Sequence, residues 1–85
     1  MIIRITSKFK KSYKKLPEYI KEKAEDKEKI FRVNPFDSKL DTHKLHGKYK
    51  DFCAFTIIGQ YRIMFMFVDS NKVDFINIGT HEIYN

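Results

Sequence analysis

The chain has 85 residues, 17 Lys/Arg against 11 Asp/Glu, a formal net charge of +6, 42% apolar residues and 15% aromatic residues. That length fits one domain, residues 1–85, with no room for a separate cofactor or regulatory unit, and the large rings argue against disorder. One cysteine, Cys53, excludes an intramolecular disulfide, and the charged start MIIRITSKFKK does not read as a secretory leader. The longest apolar run, Ile63 to Val68, is far short of the ~20 residues a membrane span needs. A cytoplasmic protein without membrane contact is expected.

Charge is divided unevenly. Residues 1–50 carry 15 Lys/Arg against seven Asp/Glu, a net of +8, whereas residues 51–85 carry two against four, a net of −2. Such a face suits a polyanion, although lysines also simply keep a greasy small domain soluble.

In chain order, Ile2–Ile5 is a candidate strand. Thr6 or Ser7 then caps a helix whose Phe9, Tyr13 and Leu16 share one face. Pro17 breaks that helix and opens a second, expected from Pro17 to Asn34, with Ile20, Ala24 and Phe31 as its buried stripe, interrupted by Lys27. Its outer face, KEK…EDKEK, offers i,i+4 charge pairs, and Asn34-Pro35 ends it. Residues 35–50 read as a loop with one short turn, long enough to carry function. Three strands follow, Asp51–Ile58, Tyr61–Val68 and Lys72–Gly79, separated by Gly59-Gln60 and Asp69-Ser70-Asn71. The middle run, YRIMFMFV, is apolar on both faces except at Arg62 and reads as a central strand covered on both sides at least in part. The order predicts an α+β fold: an N-terminal strand and a two-helix hairpin packed on one face of a four-stranded, mainly antiparallel sheet.

Arg62 stands near the start of that central strand, on a face shared with Met64, Met66 and Val68. A guanidinium there needs an anion, either Asp51 or Asp74 in a structural ion pair or the phosphate of a ligand. His81 ends the last strand in GTHEIYN; it is either an exposed spectator or a group able to move protons near neutral pH. Tyr84 lies beyond the sheet and either folds back over it or frays. The loop adds His43, Lys44, His46, Lys48, Tyr49 and Lys50. Its two histidines at i, i+3 have only Asp41 and Asp51 nearby, so no metal is expected. Cations interleaved with rings suit RNA phosphates and bases better. Cys53 reads as core. No Gly-rich phosphate loop or other cofactor motif occurs, and no cofactor is expected. RNA cleavage needs little more than these groups, because the 2′-OH is its own nucleophile: Arg62 and the loop lysines would stabilise the phosphorane and His81 would transfer the proton.

The stretch from Asn34 to Tyr84, above all THKLHGKYKDF, YRIMF and IGTHEIY, resembles the RelE/ParE toxin superfamily, and the N-terminal strand and helical hairpin extend the likeness over the whole chain. The resemblance implies a sheet packed by two N-terminal helices and the toxin of a type II toxin–antitoxin pair. In the RelE-like branch such a toxin is a metal-independent endoribonuclease that cleaves mRNA in the ribosomal A site and so inhibits translation. By the same resemblance, Arg62 matches a phosphate-binding arginine, His81 matches the C-terminal catalytic histidine of the YafQ/YoeB-like subset, His43 matches the loop histidine of YafQ-like toxins, and Tyr84 matches a C-terminal aromatic. Lys44, His46, Lys48 and Lys50 would contact RNA. Asn77 stands where several nucleases of the family place a second arginine. The alternatives are a ParE-like, non-enzymatic inhibitor of DNA gyrase and an inactive relative. All three imply a cognate antitoxin that covers basic groups.

Overall fold

A computed structural model describes residues 1–84. The chain runs β1 (Ile2–Ile5), α1 (Ser7–Lys14), α2 (Glu18–Val33), β2 (His43–Lys44), β3 (Cys53–Ile58), β4 (Tyr61–Asp69) and β5 (Lys72–Gly79). Short 3-10 turns occupy Ser38–Leu40, Gly47–Tyr49 and His81–Tyr84. No described helix is long and apolar enough to cross a membrane.

The helices begin and end where local chemistry dictates. The Thr6 hydroxyl accepts the Phe9 N–H at 3.2 Å, a cap of the kind that contributes about 1 kcal/mol, and it donates to the Phe75 or Ile76 carbonyl. Pro17 and Asn34 flank α2 as its caps, as the sequence predicts. Ile20, Ala24 and Phe31 are buried, while the interrupting Lys27 reaches out to the Lys39 carbonyl at 3.2 Å. Of the i,i+4 pairs on the outer face, Glu28–Arg32 closes at 2.7 Å.

The sheet has five strands in the order β1-β5-β4-β3-β2, not the four expected. β1 runs parallel to β5, and every other pairing is antiparallel. The additional strand, β2, lies inside the segment read as a loop. Only two of its residues pair, His43 with Ala54 and Lys44 with Cys53, too few to leave an alternating pattern in the sequence. That segment is also anchored by Leu40, which is fully buried, and turned by Asp41 at φ +50°. β3 starts at Cys53 rather than Asp51, because the Phe52 N–H is drawn back to the Tyr49 carbonyl at 2.9 Å.

Both helices pack on one face of the sheet. Phe31 of α2 lies 4.9 Å from Phe55 and from Phe65 and 5.6 Å from Phe75, ring centre to ring centre. Ile63, Val73 and Ile78 complete this core, and half-buried Cys53 packs against it. Burial pushes the Cys53 thiol up, against the pull of Lys44, as befits a core residue. β1 stops pairing at Phe75, and α1 continues along the rest of β5, where the Ser12 hydroxyl donates to Asn77 Oδ1 at 2.7 Å. A bulge between the Met64–Asn77 and Phe65–Phe75 pairs lets β5 keep this course.

Candidate functional site

Strand alternation sends Ile63 and Phe65 to the helices and Arg62 and Met64 to the opposite face. Register then defines two rows there. Thr56, Arg62 and Gly79 form one; His43, Ala54, Met64 and Asn77 form the other. His43 of β2 therefore shares the Arg62 side of the sheet, two strands away. Ala54 and Met64 are buried although no helix lies above them. They are covered by the 3-10 turn His81–Tyr84, which contacts β4 and β5, and by the neighbouring turn that carries Tyr49. The first half of the middle strand is thus covered on both sides, whereas Phe67 and Val68 near its end are exposed.

The ion-pair account of Arg62 does not hold. Asp74 is engaged by Arg4, at 2.6 and 3.0 Å, and exposed Asp51 lies at the far edge beside His43, Lys44 and Lys50. Among the described residues Arg62 has no carboxylate partner. Its Nη1 donates instead to the carbonyls of Gly59 at 2.7 Å and Tyr61 at 3.1 Å. Two backbone carbonyls hold the side chain in place, and its charge stays uncompensated, a configuration suited to an anionic ligand.

The turn after β5 brings the tail back onto Arg62. Gly79 and Thr80 lead into it, the Ile83 N–H bonds the Thr80 carbonyl at 3.1 Å, and Ile83 is buried against the sheet. Tyr84 is half-buried; desolvation raises its phenol above the ordinary value while the neighbouring Arg62 pulls the other way. The phenol is therefore neutral at pH 7 and able to donate a hydrogen bond. His81 is exposed, its ring nearly parallel to that of Tyr84 at 23° and 6.3 Å away. Tyr49 lies 6.3 Å from Tyr84 on another side, with the Lys48 ammonium 5.2 Å over its ring.

Tyr84 thus neighbours Arg62 and His81, while Lys48 approaches it only through the Tyr49 ring. His43 shares their face but is exposed at the edge strand, with Nδ1 3.0 Å from the Asp41 carbonyl. His46 is exposed at the start of the Gly47–Tyr49 turn. Lys44 and Lys50 belong elsewhere: with Phe36, Thr42, Asp51, Cys53 and Phe67 they line an open depression of about 480 Å³ that His43 also borders. Lys44 pairs with Cys53 and so alternates to the helix side. Asn77 is buried and committed: Oδ1 accepts both the Ser12 hydroxyl and the Ile78 N–H, at 2.7 and 2.9 Å. Asn77 is a strut between α1 and β5. A groove of about 350 Å³ between α1, α2 and β1 is apolar, lies on the helix side and holds none of the candidate residues. No group of three or more His, Cys, Asp or Glu able to hold a metal occurs among the described residues.

Neither a protein-family model nor a curated protein matches the chain. Solved structures do. A YoeB/ParE toxin from Agrobacterium tumefaciens superposes with a TM-score of 0.80 at 18% identity, over 95% of this chain and 99% of the other. YafQ from E. coli gives 0.80 at 16% identity, over 96% and 94%. RelE in the RelB–RelE antitoxin–toxin complex from Methanococcus jannaschii gives 0.74 at 22%, over 96% and 95%. The chain has the fold of the RelE/ParE toxin superfamily.

Proposed function

We propose that the chain is the toxin of a type II toxin–antitoxin pair and acts as a metal-independent endoribonuclease on mRNA in the ribosomal A site. One observation carries this reading: Arg62, held by carbonyls and free of any described carboxylate, stands on the face of the sheet opposite the helices beside the neutral Tyr84 phenol, with His81 in the same turn. A protein that works only by binding another has no need of that set.

In the proposed reaction the 2′-OH of the RNA attacks the adjacent phosphorus in line and loses its proton to a base. The 2′-O–P bond forms, the P–O5′ bond breaks, and the departing 5′-oxygen takes a proton from an acid. The products are a 2′,3′-cyclic phosphate and a 5′-hydroxyl. Arg62 neutralises the growing charge of the phosphorane, the term that contributes most in such sites. His81 is the proton-transfer group, Tyr84 donates a hydrogen bond to the phosphate, and Lys48 adds positive charge to the RNA-binding face. His43, one row further along the sheet, would contact the nucleotide that follows.

The partner is an acidic antitoxin that covers this basic face; structural neighbours of the chain crystallise with RelB and DinJ antitoxins. The test is a ribosome-programmed mRNA cleavage assay run beside thermal unfolding. Arg62→Ala should lower cleavage on the order of 10²–10³-fold and His81→Ala on the order of 10²–10⁴-fold, with melting unchanged. Undiminished cleavage in both folded variants refutes the site. A wild-type protein that leaves mRNA intact but blocks gyrase moves the ParE-like reading to first place.

A further inference from the structure

β4 is longer than the strand beside it. Its last pair with β3 is Phe65 with Cys53, because the chain ahead of Cys53 turns back at Tyr49–Phe52, whereas β5 follows β4 as far as Asp69. Met66, Phe67, Val68 and Asp69 thus have a strand on one side alone, and no loop backbone bonds to them among the described residues. This overhang is apolar. Phe67 and Val68 are 40% and 42% exposed, and Phe36, 65% exposed, stacks on Phe67 at 5.8 Å. An open, apolar strand edge is a template for another strand. We propose that it is a dimer contact, in which the β4 overhangs of two copies of this chain pair antiparallel about a two-fold axis.

Length, charge and twist select a second copy as the occupant. Paired antiparallel, the overhang meets itself residue for residue, Met66 against Asp69 and Phe67 against Val68. The end of β3 at Cys53 stops the incoming strand on one side, and its own Ser70-Asn71 turn carries it away there. Asp69 of each copy then reaches the end of the other copy's β3, where Lys44 and Lys50 line the open depression that Phe36 and Phe67 also border. One edge carries both signs and so complements itself, as a two-fold contact requires. The overhang also belongs to the C-terminal stretch of net −2, the part of a +6 chain where two copies repel least. The opposite sheet edge, β1, has no acidic residue and runs directly into the lysine-rich α1. The extra β4 residue between the Phe67–Val73 and Asp69–Lys72 pairs sharpens the local twist, which suits a short contact between two copies and opposes a long edge-to-edge stack. Arg62 stands at the other end of β4, so both candidate sites stay open in the dimer.

Sedimentation equilibrium of the wild-type chain from about 1 μM to about 1 mM tests the contact, the range suited to an interface at the small end of the size scale. A concentration-dependent dimer and nothing larger is expected. Val68→Lys and Val68→Asp each set like charges beside the axis and should each weaken the dimer on the order of tenfold or more, with melting unchanged because Val68 is exposed in the single chain. An equimolar mixture of the two should restore it, since opposite charges then meet. Phe36→Ser, outside the sheet, should weaken the dimer too, and it tests the contact without altering the hairpin. Ile5→Lys, at the opposite sheet edge, should dimerise as wild type does. The proposal is overturned by a wild type that stays monomeric throughout the range or grows beyond a dimer. It is equally overturned if the mixed Val68 variants fail to associate, if Phe36→Ser dimerises as wild type does, or if Ile5→Lys weakens the dimer as much as Val68→Lys.

Discussion

Gly79 is the position at which one methyl group should disconnect the tail from the sheet. It lies directly across from Arg62, has φ +157°, and a Cβ built there would sit 2.9 Å from Ile83 Cγ2. Gly79→Ala must therefore either hold a positive φ that side chains rarely adopt, at a cost of about 1–3 kcal/mol, or expel the His81–Tyr84 turn. Expulsion removes Ile83 from its buried seat, a loss of about 1.5–3 kcal/mol for a side chain of that size. Both routes lead to similar magnitudes. At about 4–8 °C per kcal/mol for a domain of this size, a loss of 1–3 kcal/mol lowers Tm by about 4–24 °C. Tyr84 separates the two. Burial holds its phenol above the ordinary value, so a displaced tail returns it toward about 10, read by phenolate absorbance against a Tyr84→Phe background. Adding Ile83→Ala to Gly79→Ala relieves the contact and isolates the backbone cost. A Gly79→Ala protein that melts with wild type and titrates like it would falsify the claim that this close approach seats the turn.

Two further perturbations probe the scaffold. Phe31→Ala removes a ring with no exposed surface that touches Phe55, Phe65 and Phe75, and should destabilise by about 3–5 kcal/mol in denaturant titrations, with cooperative folding lost if the core is as concentrated there as the rings indicate. The Arg4 guanidinium holds the Asp74 carboxyl below its usual range, first by hydrogen bonding. Stability from that pair is therefore present above the ordinary carboxylate value near 4 and is lost as pH falls through the depressed one. Arg4 faces solvent and Asp74 is only partly covered, so the effect is small and fades with salt; Asp74→Asn should narrow the difference in Tm between pH 7 and pH 3 at low ionic strength and do little at 1 M salt.

What the sequence reveals follows the length of each signal. The helical stripes and the three long strands repeat their periods often enough to be read, and a guanidinium in an apolar strand announces Arg62. β2 has two paired residues and no period, so its presence depends on contacts made elsewhere. The fate of Arg62 likewise required the partners of Asp74 and Asp51, which only the folded arrangement defines. Asn77 is the converse case. Its type reads as a departure from a family pattern, whereas its surroundings make it a hydrogen-bonded strut that an arginine could not replace without displacing Ser12. Tyr49, flanked by two lysines, carries a compositional hint of RNA contact, but its approach to Tyr84 comes from two turns distant in the chain.

The place of β5 has a consequence in time. It is the last strand in chain order, yet it lies between β1 and β4, and β1 has no other neighbour in the sheet. During N-to-C synthesis the helical hairpin and the β3–β4 hairpin can form early, while β1 waits for a partner about which the chain must close a loop of 70 residues, the separation of Arg4 and Asp74. The seat of Ser12 on Asn77, the pairing of Gly79 with Arg62 and the tail that follows all arrive with that same strand. A growing chain is therefore without an assembled site until its final sheet element inserts, and the interval between emergence and insertion is the natural moment for another protein to reach the basic N-terminal half first.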